Sequence, residues 1–186
     1  MGTTRSDTRQ RIQDVALELF ADKGYDKTSL REIAERLDVT KAALYYHFRT
    51  KEDILVSLVE DHFGRVDELI AWGQSQPATL ETRLELLARY SALLAGGDTL
   101  FRFMQENQAS IRELSLGETF KARMADIIGM LRDKDADLRD QARSIAAIFT
   151  MHAGMFALDD AKGDPEEKRL ACLEVAQELV TSAYRG

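Results

Sequence analysis

Leu30-Arg-Glu-Ile-Ala-Glu-Arg-Leu-Asp-Val-Thr-Lys-Ala-Ala-Leu-Tyr-Tyr-His-Phe48, closed by Lys51-Glu-Asp-Ile-Leu55, decides how this chain is read. Leu30, Ile33, Ala34 and Leu37 recur at helical spacing, Asp38-Val39 interrupts the pattern, and Thr40 stands where a second short helix needs its cap. In that second helix Leu44 and Phe48 lie four apart and face the core. Thr40, Lys41, Ala42, Tyr45, Tyr46 and His47 are left on its outer and flanking faces, where an ordinary surface helix carries Glu and Lys. Hydroxyl, ammonium and aromatic groups placed this way suit the phosphates and base edges of a DNA groove. Small Ala42 and Ala43 let a backbone approach closely.

Working outward, Thr8 to Lys23 carries Ile12, Val15, Ala16, Leu19 and Phe20 on one helical face, and Gly24 supplies a left-handed stop. Thr28 and Ser29 both stand at the next helix start. Ser29-x-x-Glu32 fits a capping box, and either hydroxyl can serve as the cap. With Thr40-Lys41 and Lys51, three hydroxyl-rich or cationic helix starts fall close together, and free N–H groups at helix starts suit anions. The bland alternative is a buried aromatic corner of a helical bundle, which leaves those three starts unexplained.

Hydrophobic residues make up 45% of the chain and charged residues 31%, with two prolines in a sequence dense in Ala, Leu, Glu, Arg and Asp. That balance predicts an all-α protein. Apolar stripes place a long helix over about 51–74, another from Pro77 to Gly96, a short one from Asp98 to about Gln108, and others over 117–133, 138–158 and after Pro165. About nine helices result. A single Cys172 excludes an intramolecular disulfide framework, and no Cys/His spacing matches a metal site, so neither metal nor cofactor is expected. The first ten residues lack an apolar signal core and no eighteen apolar residues run together, so a cytoplasmic protein without membrane contact is expected.

The net charge of -7 argues at first against a polyanion as partner. Its distribution reverses that: residues 1–51 hold ten Lys/Arg against eight Asp/Glu, whereas residues 52–186 hold fifteen against twenty-four. The negative charge sits away from the motif.

From Arg9 to Leu58 the chain resembles the TetR family of bacterial transcriptional regulators. The resemblance is carried by Ala16-Leu-Glu-Leu-Phe-Ala-Asp-Lys-Gly-Tyr25, Thr28-Ser-Leu-Arg-Glu-Ile-Ala34 and Val39-Thr-Lys-Ala-Ala-Leu-Tyr-Tyr-His-Phe-Arg-Thr-Lys-Glu-Asp-Ile-Leu55. It covers about a quarter of the chain; the rest is similar only in length and helical character. The resemblance implies a three-helix helix-turn-helix DNA-binding domain over 1–50 and a larger helical effector-binding and dimerisation domain over 51–186. It implies that Thr28 touches a phosphate, that Thr40, Lys41, Ala42, Tyr45 and Tyr46 face the major groove, and that His47 and Lys51 hold the backbone. Without Asn, Gln or Arg on the recognition helix, no bidentate base contact can be read, and the operator sequence stays hidden.

The same resemblance implies a homodimer through the last two helices, and the stripes there nominate Ile145, Ile148, Phe149, Leu170, Leu173, Val180 and Tyr184 for its interface. A monomer whose last helices close its own core is the alternative. For a small-molecule effector the lining candidates are Trp72, Phe101, Phe103, Met104, Phe120, Met124, Phe149, His152 and Phe156, residues that equally serve as plain core. The expected function is a ligand-responsive regulator, most simply a repressor on a near-palindromic double-stranded operator. A helical carrier or sensor without specific DNA binding is the rival. An enzyme is not expected, since Cys172 and the three histidines show no catalytic spacing.

Overall fold

The computed structural model describes residues 3–96, 99–100, 103, 116–154, 157–158 and 160–184, with side chains from Asp7 onward and excluding those of 96, 116 and 117. The described residues are all-helical: α1 Thr3–Lys23, α2 Leu30–Arg36, α3 Lys41–His47, α4 Lys51–Ser75, α5 Leu80–Gly96, α6 Leu116–Met130, α7 Leu138–Gly154 and α8 Pro165–Ala183. The short helix expected between Asp98 and Gln108, and with it Phe101 and Met104, lies almost wholly outside the described residues, as do Met155 and Phe156. The chain divides into two compact units, one of residues 1–63 with 99–114 and one of residues 64–98 with 115–186.

The first unit is built on apolar positions at helical spacing. Ile12, Ala16 and Phe20 of α1, Ile33 and Ala34 of α2, Leu44 of α3, Phe48, and Ile54, Leu55, Leu58 and Val59 of α4 are all buried. The starts of α2, α3 and α4 are chemically marked. Ser29, not Thr28, caps α2: its Oγ accepts from the Glu32 amide at 3.3 Å while Glu32 Oε2 accepts from the Ser29 amide at 2.9 Å. Thr40 caps α3 through the Ala43 amide at 3.2 Å. At α4 the exchange is reciprocal, Asp53 N–H donating to Thr50 Oγ1 and Thr50 N–H to Asp53 Oδ2. Gly24 (φ 88°) ends α1, and Asp38 takes the left-handed conformation (φ 53°) in the turn before α3.

A buried polar link ties α1 to α4 inside this unit. Gln13, 1% exposed, donates from Nε2 to Ser57 Oγ (3.0 Å) and to Asp61 Oδ2 (2.6 Å). Both amide protons are thereby used, which burial requires.

The second unit has its own core: Val66, Leu69 and Ile70 of α4, Leu86, Leu87, Tyr90 and Leu94 of α5, Met124 and Ile127 of α6, Ala147, Ile148 and Met151 of α7, and Ala176 and Val180 of α8. Helices α7 and α8 form the most intimate pair. They come so close that a β-carbon on Gly154 would overlap Cys172 Sγ, which is why glycine stands there. Asp164, Pro165 and Glu167 start α8 as a complete capping box. Buried Arg83 of α5 pairs with Asp133 and lies over the Tyr184 ring, 5.1 Å from its centroid.

Candidate nucleic-acid interface

The second short helix of the motif, α3, exposes what the sequence placed outward. Leu44 is 0% exposed and Phe48 2%, whereas Tyr45 is 50% and Tyr46 66% exposed; Thr40, Lys41, Ala42 and Ala43 are exposed and His47 half-buried. Tyr46 and His47 meet edge to face, with ring centroids 5.4 Å apart. Phe48, at the end of the helix, is held from above by the Arg9 guanidinium, 4.3 Å from its ring centre. One buried leucine and one capped start therefore fix seven helical residues, and the remaining outward side chains carry no core duty.

Two residues of the same sequence group face inward. Thr28 is 2% exposed, and its hydroxyl donates to Gly24 O (2.9 Å) and lies 3.2 Å from Leu19 O. It closes the turn between α1 and α2, since the adjacent Ser29 is the cap. Lys51 points its ammonium into that turn as well, 2.7 Å from Tyr25 O and 3.4 Å from both Asp26 O and Thr28 O, and 4.2 Å from the centre of the Tyr25 ring. Carbonyl dipoles and a ring face together hold this cation. The Tyr25 phenol, partly desolvated and near Glu52, Asp26 and Asp53, is held above its ordinary pKa.

The residues nominated for an effector pocket separate. Phe103 lies in the first unit, stacked on Phe20 at 5.6 Å and 6.0 Å from Tyr25. Phe149 is 64% exposed and stands apart from the buried core of its unit. Trp72 is partly buried under the Arg89 guanidinium. Phe120, Met124 and His152 do come together in the second unit, around Tyr90 of the α5 apolar stripe. Tyr90, 1% exposed, places its hydroxyl 2.6 Å from His152 Nε2 and 3.2 Å from Met124 Sδ, and the Phe120 and His152 ring centres lie 6.1 Å apart. An imidazole donating from Nε2–H to Tyr90 Oη leaves the phenol proton for the sulfur, so one neutral tautomer completes the set.

Burial pushes His152 down to about 4 and raises the Tyr90 phenol above its ordinary pKa. Between pH 6.5 and about 4 the unfolded histidine takes up a proton that the folded one refuses. Its contribution to stability is therefore complete above pH 6.5 and is lost as pH falls toward 4, at up to about 1.4 kcal/mol per pH unit. In urea titrations over this range the stability of His152→Asn is expected to change less with pH than that of the wild type. Parallel pH profiles would remove the buried neutral histidine.

The interface candidates split between two sides of their helices. Ile148 (1% exposed) and Val180 (0%) belong to the inner core, and Leu173 and Tyr184 are half-buried, while Ile145, Phe149 and Leu170 are exposed together with Leu138 and Val175. These exposed apolar side chains stand on α7 and α8, the two helices that pack on each other.

Residues 12–58 match the family described as bacterial regulatory proteins, tetR family. The chain is similar to the HTH-type transcriptional repressor KstR2 of Rhodococcus jostii, 32% identical over 130 residues that cover 61% of this chain and 64% of that protein. It is also similar to the fatty acid metabolism regulator protein of Bacillus subtilis, 33% identical over 90 residues, 48% of this chain and 46% of that protein. The chain thus spans between about half and two thirds of the length of these curated relatives. Among solved structures, a TetR-family transcriptional regulator from Marinobacter aquaeolei superposes with a TM-score of 0.70 at 23% identity, over 96% of this chain and 91% of that one, a likeness of fold.

Proposed function

We propose, for a chain that belongs to the TetR family of bacterial regulatory proteins, the function of a ligand-responsive transcriptional regulator, most simply a repressor, that binds a near-palindromic operator as a homodimer. The observation that carries this reading is α3: two tyrosines turned to solvent on a helix whose only buried residue is Leu44. Leaving such rings in solvent gains nothing for the single chain, and their hydroxyls can reach phosphates and base edges once the helix lies in a major groove. Residues 1–50 are then the DNA-binding domain and residues 51–186 the effector-binding and dimerisation domain. Thr40, Lys41, Ala42, Tyr45 and Tyr46 address the groove, His47 the backbone, and Thr28 and Lys51 flank them at the α1–α2 turn.

The larger part senses. Phe120, Met124 and His152, with Tyr90, offer an apolar setting with one polar point, which favours an uncharged effector bearing a hydrogen-bonding group. Ile145, Phe149 and Leu170 supply the twofold interface. An effector that prefers a displaced α4 would spoil the spacing of the two recognition helices, and linkage then requires that DNA weaken effector binding by the same factor. The chain acts in the cytoplasm, where its operator is, and catalyses no reaction. KstR2, a transcriptional repressor by name, supports the sign of regulation.

Operator mapping by selection from randomised duplexes tests the reading directly; a wild-type protein that enriches no sequence sinks it. With the operator in hand, Lys41→Ala is expected to weaken binding to all DNA and to lower the slope of log K against log salt by about 0.9. Tyr46→Ala should cost more on the selected site than on random duplex, by about 1–3 kcal/mol. Equal losses on both would strip Tyr46 of a base-reading role.

A further inference from the structure

Lys51 stands at the first position of α4, a natural place for a phosphate ligand, yet its ammonium is turned into the protein. It lies 2.7 Å from Tyr25 O and 3.4 Å from Asp26 O and Thr28 O, with the Tyr25 ring 4.2 Å away. These carbonyls belong to the turn that leads into α2, and α2 packs on α3. The Tyr25 ring also meets two phenyl rings. Phe20 meets Tyr25 edge to face at 5.1 Å, and Phe103, only 1% exposed, stacks on Phe20 at 5.6 Å and lies 6.0 Å from Tyr25. Residue 103 follows α5 in the chain, far in sequence from the motif.

We infer that Lys51 is a positioning residue for DNA binding rather than a phosphate contact, and that the stack Phe103–Phe20–Tyr25 sets where it holds the α1–α2 turn. An ammonium that gives its protons to three carbonyls must give up that arrangement before it can serve a phosphate. A charge placed against carbonyls and a ring face instead fixes the first turn of α4 to the turn preceding α2, and so fixes the pose of α3. Because Phe103 packs on the same rings, its side chain is linked to the start of α4 without passing along the length of that helix. The coupling is a packed, two-ended contact of named groups. This inference rests on the reading of α3 as the DNA-facing helix.

Its test separates charge from position. On a duplex selected by the wild type from a randomised pool, Lys51→Met and Tyr25→Leu are each expected to weaken binding on the order of tenfold, and the double variant no more than the stronger single one. The salt slope should stay at the wild-type value in all three. A slope lowered by about 0.9 in Lys51→Met, with Tyr25→Leu harmless, makes Lys51 a phosphate ligand and overturns the inference. Independent, multiplying losses overturn it too. A second arm needs no DNA: amide hydrogen exchange in Phe103→Leu, which keeps an apolar filling, should quicken in residues 25–30 and 51–55 and stay unchanged in 138–154. Unchanged exchange at 25–30 and 51–55 breaks the link from Phe103. Should the wild type select no duplex at all, the regulator reading falls, and exchange in Phe103→Leu and Lys51→Met still decides whether the staple exists.

Discussion

Phe149→Asp is expected to turn the protein into a well-folded monomer that holds DNA poorly. Phe149 is 64% exposed in the single chain, between Ile145 at 41% and, on α8, Leu170 at 47% and Val175 at 45%. Its removal therefore costs the fold of one chain little. In the proposed twofold interface this side chain is covered, and a carboxylate placed there is desolvated. A rise in the dimer dissociation constant of about three orders of magnitude, near 4 kcal/mol, is the expected result. Sedimentation at micromolar concentration reads it directly, and operator affinity should fall with it because two half-sites are no longer held by one molecule. A variant that still sediments as a dimer would move the interface away from this strip.

The second large effect is Leu44→Ala. Leu44 is fully buried and is the one residue of α3 that enters the core of its unit. Truncating a leucine so placed costs about 2–5 kcal/mol, a large share of what a small helical unit has in total. Thermal unfolding followed by circular dichroism should show the first unit melting early and the second, with its separate core, persisting. Tyr46→Ala is the contrast: two thirds exposed, it should change stability by no more than about 0.5 kcal/mol while it damages DNA binding. If both variants lowered stability alike, the tyrosine would belong to the core after all.

Periodicity and capping chemistry made much of this legible in the chain itself. Leu44 and Phe48, four apart, could face only one way, and Thr40 could cap only one helix. Where two adjacent residues competed, the sequence did not choose: Ser29 took the cap, and the neighbouring hydroxyl of Thr28 turned inward to the carbonyls of Leu19 and Gly24. The wide apolar stripe of α7 announced burial on two sides without saying which was inside. Packing against α8 took Ile148 and left Ile145 and Phe149 outward. Arg83 and Gln13 gave no sign of burial, since nothing local marks a polar side chain whose partner lies 44 or more residues away. Phe103 was misplaced for the same reason: an aromatic residue in an apolar run says that it is buried, not in which unit.

The economy of α3 also bears on how such a protein changes over generations or in the laboratory. Its shape is held by Leu44, by the Thr40 hydroxyl and by the Phe48 that follows, so positions 42, 45 and 46 are close to blank slots on a finished scaffold. A library varied at those three positions should stay folded almost throughout, and retargeting the molecule to a new control element becomes a search over side chains with no repair of the framework to accompany it.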